Sequence, residues 1–321
     1  MNEINVKLIS NQDYESPKIK FDGVVGQDSV INKLKFYLSS HDNKTPFPTM
    51  LFTGSHGLGK TFVAKKLAEN LHRRFIEVNC GTLSTADDFI QELIIGKIAG
   101  DTPVTLLLDE AHTLTGAVTT ILLTLLAPSS NNIRTLAYKN MLLEYDLSKI
   151  NVVLATTDAF RIFPPLLNRC ERIYFESYGF ADLLDMLQLY LPGIRIEEKN
   201  KDLAFACRGR GRDTLKLAQN ILRYCHMNKT TNFDKNGWDY IKSIFEIYPC
   251  GLNRQEVELL KMINEFQPIS SANLAMQMML SEENIENELE VRCRELAMIK
   301  NTSKGRILTE EGIVYLQNVK I

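Results

Sequence analysis

The residues best placed to do chemistry are Gly54-Ser-His-Gly-Leu-Gly-Lys60-Thr61. They fit the pattern GxxxxGK[ST], a loop whose backbone N–H groups close around a polyphosphate. Gly54, Gly57 and Gly59 let the chain approach the phosphates. Lys60 can reach the β- and γ-phosphates of a nucleoside triphosphate, and the Thr61 hydroxyl can ligate Mg²⁺. An acidic pair, Asp109-Glu110, follows the apolar run Val104-Thr-Leu-Leu-Leu108. Beside a phosphate loop, Asp109 can hold Mg²⁺ through water and Glu110 can take a proton from an attacking water. Together these residues predict hydrolysis of ATP with Mg²⁺.

Such groups act only if strands and helices deliver them to one place. Met50-Leu-Phe-Thr53 reads as a buried strand entering the glycine loop, and Val63, Leu67 and Leu71 repeat at helical spacing after it. Val30, Leu34 and Leu38 mark an earlier helix. Phe75–Val78 is a further strand, and Phe89, Leu93 and Ile94 predict an α-helix across 84–99. A helix is expected over 119–126, a hairpin over 133–145 turning at Lys139-Asn140, and a buried strand over Asn151–Ala155. Strands alternating with helices imply a parallel sheet covered on both faces.

Beyond residue 180 the pattern becomes helical, over 180–191, 213–227 and 236–248. Pro249-Cys-Gly251 punctuates it. Asn253 with Glu256 starts a capped helix carrying Val257, Leu260 and Ile263 on one face. A helix over 272–279 follows, and Ser281 can cap a third that carries Ile285, Leu289, Cys293 and Leu296. Met298–Leu308 then holds Asn301-Thr-Ser-Lys-Gly305 between apolar pairs. Three helices and a glycine-turned hairpin predict a winged helix. The organisation expected is an N-terminal arm over 1–20, an α/β domain over 21–179, a helical lid over 180–250 and a winged helix over 251–321.

A net charge of −2 across 321 residues gives no global basic field, so any nucleic-acid contact needs a local patch. The sequence has no apolar run long enough to span a membrane and no secretory leader. The six cysteines form no CxxC pair, which argues against zinc and a disulfide framework and for a reduced, cytoplasmic protein. His56 and His112 sit inside the two motifs without a surrounding ligand cluster in sequence, and are read as non-ligands.

The glycine loop and Leu106-Leu-Leu-Asp-Glu-Ala-His112 resemble the two nucleotide motifs of AAA+ ATPases. Further segments are similar to the RuvB family within that class. Phe21-Asp-Gly-Val-Val-Gly-Gln27 resembles the family's segment beside the adenine, which implies that Val24 and Val25 line the base. Ala155-Thr-Thr157 resembles a sensor segment. Thr156 and Thr157 are both candidates, Thr157 is carried forward, and Asp158 stands where the family has Arg. Pro165-Leu-Leu-Asn-Arg169 aligns with the segment whose last residue is an arginine finger, acting across a subunit boundary. Arg208-Gly-Arg-Gly-Arg212 resembles the second sensor, which implies Arg212 at the γ-phosphate; Arg208 and Arg210 are read as a solvated run. Gly251-Leu-Asn253 and Asn301-Thr-Ser-Lys-Gly-Arg306 are similar to landmarks of the family's winged helix.

The resemblance implies a homo-hexameric ring around duplex DNA that migrates Holliday junctions during recombination and repair. Within 282–295, Glu282, Glu283, Glu286, Glu288, Glu290 and Glu295 outnumber Arg292 and Arg294, so groove reading by this helix is disfavoured. Lys300, Lys304 and Arg306 are expected to meet phosphates instead. In the family the hairpin corresponding to 133–145 contacts the junction-binding partner RuvA. Here it lacks the family's glycine-rich composition, so a RuvA-like partner is expected without a defined identity. Two other functions fit the same motifs: a clamp- or helicase-loading subunit, and a nucleotide-dependent binding switch with little turnover.

Overall fold

The structure, a computed structural model, describes residues 19–42, 44–98, 102–128, 131–197 and 201–319. Of the expected arm over 1–20, residues 1–18 lie outside them. The chain divides into two compact units between Glu176 and Ser177.

The first unit is built on strands β1 (Met50–Thr53), β2 (Arg74–Asn79), β3 (Val104–Asp109), β4 (Ile133–Tyr138), β5 (Met141–Asp146), β6 (Ile150–Thr156) and β7 (Glu171–Tyr174). Helices α1 (Asp28–Ser39), α2 (Lys60–Asn70), α3 (Gly116–Leu125) and the short α4 (Pro164–Leu167) accompany them. Five strands make a parallel sheet in the order β2-β3-β6-β1-β7. Leu106, Leu107 and Leu108 of β3 and Val153, Leu154 and Ala155 of β6 are all buried. Side chains alternate between the two faces of a strand, so such continuous apolar runs require cover on both. Because β6 pairs with both β1 and β3, the glycine loop after β1 and the acidic pair at the end of β3 emerge at the same edge. Ligands of open α/β sheets bind at this carboxyl-terminal edge.

Two details differ from the sequence pattern. The segment expected as an α-helix over 84–99 is π-helical over Asp88–Ile98, and its apolar residues Phe89, Leu93, Ile94 and Ile98 recur at a spacing that suits the wider turn. Strand β7 was not foreseen, because only Ile173 of its four residues is buried. The β4–β5 hairpin matches expectation, with Tyr138 paired to Met141 at the turn.

The second unit contains two apolar cores. Helices α5 (Phe180–Leu189), α6 (Lys201–Ala206), α7 (Gly211–Met227) and α8 (Lys235–Ile244) bury Leu183, Leu187, Leu217, Ile221 and Trp238. A two-residue strand pair, β8 (Arg195–Ile196) with β9 (Asn232–Phe233), joins them and had no signal in the sequence. The other core holds Leu252, Leu260, Ile263, Leu274 and Ile285. Around it lie α9 (Arg254–Phe266), α10 (Ser271–Met278), a continuous helical run from α11 (Glu282–Asn284) to α12 (Glu290–Glu295), and α13 (Glu310–Asn318). Asn253 and Glu256 form the reciprocal cap of α9, and Ser281 caps α11. The wing is the hairpin β10 (Ile299–Thr302) and β11 (Gly305–Leu308). Gly305 is obligatory at its turn: its φ is +132°, and a Cβ there would lie 2.5 Å from the Ile269 carbonyl oxygen.

Arginines tie the two cores of this unit together. Arg208 donates to Glu256, whose side chain is 1% exposed. Arg210 pairs with Glu295 at 3.1 Å, and Arg292 donates to the carbonyls of Phe205 and Cys250. The expectation that Arg208 and Arg210 form a solvated run is therefore corrected. A buried carboxylate must be paired, and α9 presents one at Glu256. Among the described residues no helix is long and apolar enough to cross a membrane.

Candidate functional site

The glycine loop leaves β1 with the Gly54 amide donating to the Thr156 carbonyl at 3.3 Å, so it begins beside the end of β6. Gly59 is the N-cap of α2 at φ 89°, a conformation that any side chain would strain. Lys60 therefore opens α2 pointing back across the loop. Its Nζ donates to the carbonyls of Gly54 and Ser55 at 2.7 and 2.9 Å. Lys60 as a residue is 7% exposed, and it opens the helix at the N-terminus, where backbone N–H groups favour an anion. Thr61 follows, half-buried, on the first turn.

Segment 21–27 is tied to Glu176 and approaches the first turn of α2. The Gln27 side-chain amide binds the backbone of Glu176 twice, Nε2 donating to the carbonyl at 2.6 Å and Oε1 accepting from the amide at 3.2 Å. A Cβ on Gly23 would lie 3.7 Å from the Phe62 ring of α2. Val24 and Val25 are half-buried between these anchors. Gln27 was part of the sequence motif, but its role as the anchor of the segment was not foreseen.

At the end of β3, Asp109 Oδ1 accepts the Glu110 amide at 3.0 Å. Glu110 sits at φ 52°, ψ 46°, in the left-handed region. Its carboxylate is flanked by imidazole nitrogens: His56 Nδ1 is 3.5 Å from Oε1, and His112 Nδ1 is 3.3 Å from Oε2. The nearby Cys80 thiol is pushed up to about 12 by burial, with the charges of Asp109 and Glu110 adding to it. It stays a neutral thiol at this edge. Neither the histidine contacts nor Cys80 was foreseen, because they depend on the turn at Glu110, which sequence spacing does not reveal.

Thr156 is fully buried, and its hydroxyl oxygen accepts the Asp158 amide at 3.0 Å and faces His112 Nδ1 at 3.1 Å. Thr157 is half-buried beyond the strand end. Asp158 does not act as a free charge: its side chain accepts the Phe160 amide and caps the turn over Ala159–Arg161. Arg169 follows α4, and its Nη1 is buried with no hydrogen-bond partner among the described residues. A buried guanidinium nitrogen without an acceptor is costly to keep.

In the second unit Arg212 opens α7 and is exposed. At the wing, Lys300 and Lys304 are exposed as expected. Arg306 is not available in the same way. Its Nε donates to Glu290 at 2.8 Å and its Nη2 to Glu286 at 2.6 Å. Burial opposes its charge, but the two carboxylates outweigh burial and raise its pKa, while that of Glu286 falls mainly through its bond to Arg306. The expectation that Arg306 reaches DNA phosphates is corrected: β11 packs against the acidic helix, and the arginine neutralises it from inside.

Residues 50–178 match the family model for the ATPase family associated with various cellular activities (AAA), and residues 249–317 match the RuvB C-terminal winged helix domain. The chain is 27% identical over 310 residues to the Holliday junction branch migration complex subunit RuvB of Mycoplasma genitalium, covering 94% of this chain and 98% of that protein. It is also 27% identical over 314 residues to the same subunit of Ehrlichia canis, covering 92% and 91%. The solved Thermotoga maritima RuvB Holliday junction branch migration motor shares the fold, with a TM-score of 0.75 at 20% identity over 92% of this chain and 96% of that one.

Proposed function

We propose that this chain, a RuvB-like AAA+ ATPase, hydrolyses ATP to drive translocation on duplex DNA and branch migration of Holliday junctions in the cytoplasm. The observation that carries the reading is the convergence of Lys60, Thr61, Asp109 and Glu110 at one edge of the sheet. Lys60 would neutralise the β- and γ-phosphates. Thr61 and Asp109 offer hard oxygen donors that fit Mg²⁺, and Asp109 has a second carboxylate oxygen beyond the one bound to the Glu110 amide. The cation would supply charge neutralisation across the phosphates. Glu110 would take the proton of water as that water's oxygen bonds the γ-phosphorus and the bond to the ADP oxygen breaks.

Val24 and Val25 would pack on the base, with Thr157 and Arg212 as nucleotide sensors. Arg169 would act on the nucleotide of a neighbouring copy in a homo-hexameric ring; its orphaned Nη1 supports that role. Lys300 and Lys304 would meet DNA phosphates. The hairpin supports a RuvA-like partner: Leu136 and Tyr138 face inward, while Ile133 and Leu142 share the opposite face and are exposed. Mixing tests the shared site. Rings containing both Arg169→Ala and Glu110→Gln subunits should regain ATPase activity, since some interfaces then hold an intact Glu110 and an intact Arg169. No recovery in demonstrably mixed rings would falsify a site completed in trans.

A further inference from the structure

Glu110 is held in an unusual backbone conformation and its two carboxylate oxygens have different surroundings. The left-handed turn strains a residue that carries a side chain. It is fixed by the Asp109 carboxylate and by Thr113, whose amide and hydroxyl both donate to the Glu110 carbonyl at 2.9 and 2.8 Å. The turn puts Oε2 in a buried position, where it has no hydrogen bond of good geometry and His112 Nδ1 as its neighbour at 3.3 Å. Oε1 has His56 Nδ1 as its neighbour at 3.5 Å. The two imidazoles differ in environment: the His112 side chain is 16% exposed and that of His56 is 61% exposed.

The same His112 nitrogen faces a third group, the Thr156 hydroxyl at 3.1 Å, at the end of β6. A neutral imidazole nitrogen either carries a proton and donates, or lacks one and accepts. A buried carboxylate oxygen without a donor is the costlier group to leave unsatisfied. The Nδ1–H form, bonded to the Thr156 hydroxyl at 3.1 Å with Oε2 beside it at 3.3 Å, therefore suits the site as a shared donor. It keeps Oε2 beside the end of β6 and leaves Oε1 on the side of the glycine loop that carries His56.

We propose that His112 is a positioning residue for hydrolysis: it anchors Glu110 through Oε2 and ties that anchor to β6 through Thr156, while exposed His56 covers Oε1 and must yield before water reaches it. The inference rests on the reading of Glu110 as the general base. A carboxylate displaced by about 1 Å costs on the order of 100-fold in rate, without a matching loss of substrate binding.

The test compares turnover at saturating ATP with the affinity of a fluorescent ATP analogue in four full-length variants. His112→Phe fills the ring's space without a nitrogen and should lower kcat about 10- to 100-fold with unchanged analogue affinity. His112→Asn places an amide N–H near Nδ1 and should recover most of that loss. His56→Ala, which leaves the contact at Oε2 intact, should not reproduce the His112→Phe pattern of lowered kcat with unchanged analogue affinity. Native turnover in His112→Phe overturns the proposal, as does an equal loss in the Phe and Asn variants. A loss in His56→Ala as large as in His112→Phe overturns the division of roles. Should His112→Phe fail to fold, His112→Leu removes the same nitrogen with less bulk. The fourth variant separates the levels: if Glu110→Gln keeps native turnover, the base assignment and the anchor fall together. If Glu110→Gln is inactive while His112→Phe is native, only the anchor falls.

Discussion

The edge of the parallel sheet and the winged helix treat charge in opposite ways. In the first unit, Lys60 bonds carbonyls of its own loop, Glu110 faces imidazoles, and Arg169 keeps a buried nitrogen without a hydrogen-bond partner among the described residues. In the winged helix, charges of opposite sign meet directly. Glu290 is fully buried between Arg306 and Arg294, and Glu256 is buried against Arg208. Glu110, which faces imidazoles rather than a fixed cation, keeps a carboxylate that can react. Groups locked into mutual pairs hold the domain together. The difference teaches that counts of charged residues say little about function until their partners are known.

The largest effect should come from the sheet edge. Glu110→Gln should bind nucleotide normally and lose about 10²- to 10⁴-fold in turnover, because an amide cannot accept the proton. Lys60→Ala should instead lose tight nucleotide binding. Glu110→Gln should not lower the melting temperature much, since the carboxylate faces imidazoles rather than a fixed cation. Equilibrium binding, single-turnover hydrolysis and thermal melts together check the claim. A large drop in melting temperature for Glu110→Gln would erase the contrast between the two regions.

The next effect is on stability, in the winged helix. Arg306→Ala should destabilise this domain by about 3–5 kcal/mol, because it strips a partner from the buried Glu290. Denaturant unfolding measures it, with basal ATPase as the control that should not change. A cost near zero would mean that the Glu290–Arg294 contact suffices alone, and that Arg306 is dispensable to the fold.

The same contrast explains what the sequence revealed. The glycine loop was legible because its chemistry depends on consecutive backbone positions, and Asp109-Glu110 because a buried strand announces its own end. The cap of α9 was legible for the same local reason, Asn253 and Glu256 being one helical turn apart. Arg306 was misread because its carboxylate partners lie 16 and 20 residues away, across a helix–strand packing that periodicity does not encode. Strand β7 was missed because an edge strand with a single buried residue lacks the continuous apolar run of β3 and β6. The two histidines around Glu110 were visible as residues, but their meeting depends on a left-handed turn.

The smallest effect separates the wing's free cations from its paired one. Lys300 and Lys304 are exposed on β10 and at the hairpin tip, where long cations reach phosphates without entering a groove. Each phosphate neutralised releases counterions, so affinity should fall steeply with salt. Replacing both lysines with Ala should weaken binding about equally for unrelated duplexes and flatten the salt slope by roughly one to two units. Basal ATPase should persist, because Lys300 and Lys304 belong to the second unit and Lys60 and Glu110 to the first. Arg306→Ala, measured at a temperature where it remains folded, should leave the slope unchanged, since its guanidinium already serves Glu286 and Glu290. If Arg306→Ala flattens the slope as much as the lysine pair does, its ion pairs open on DNA and the division between free and paired charges fails. An unchanged slope in the lysine double variant would move the wing from DNA to protein contacts. A loss confined to one duplex sequence would mean base readout, which the exposed Glu282, Glu283 and Glu288 of the neighbouring helical run oppose.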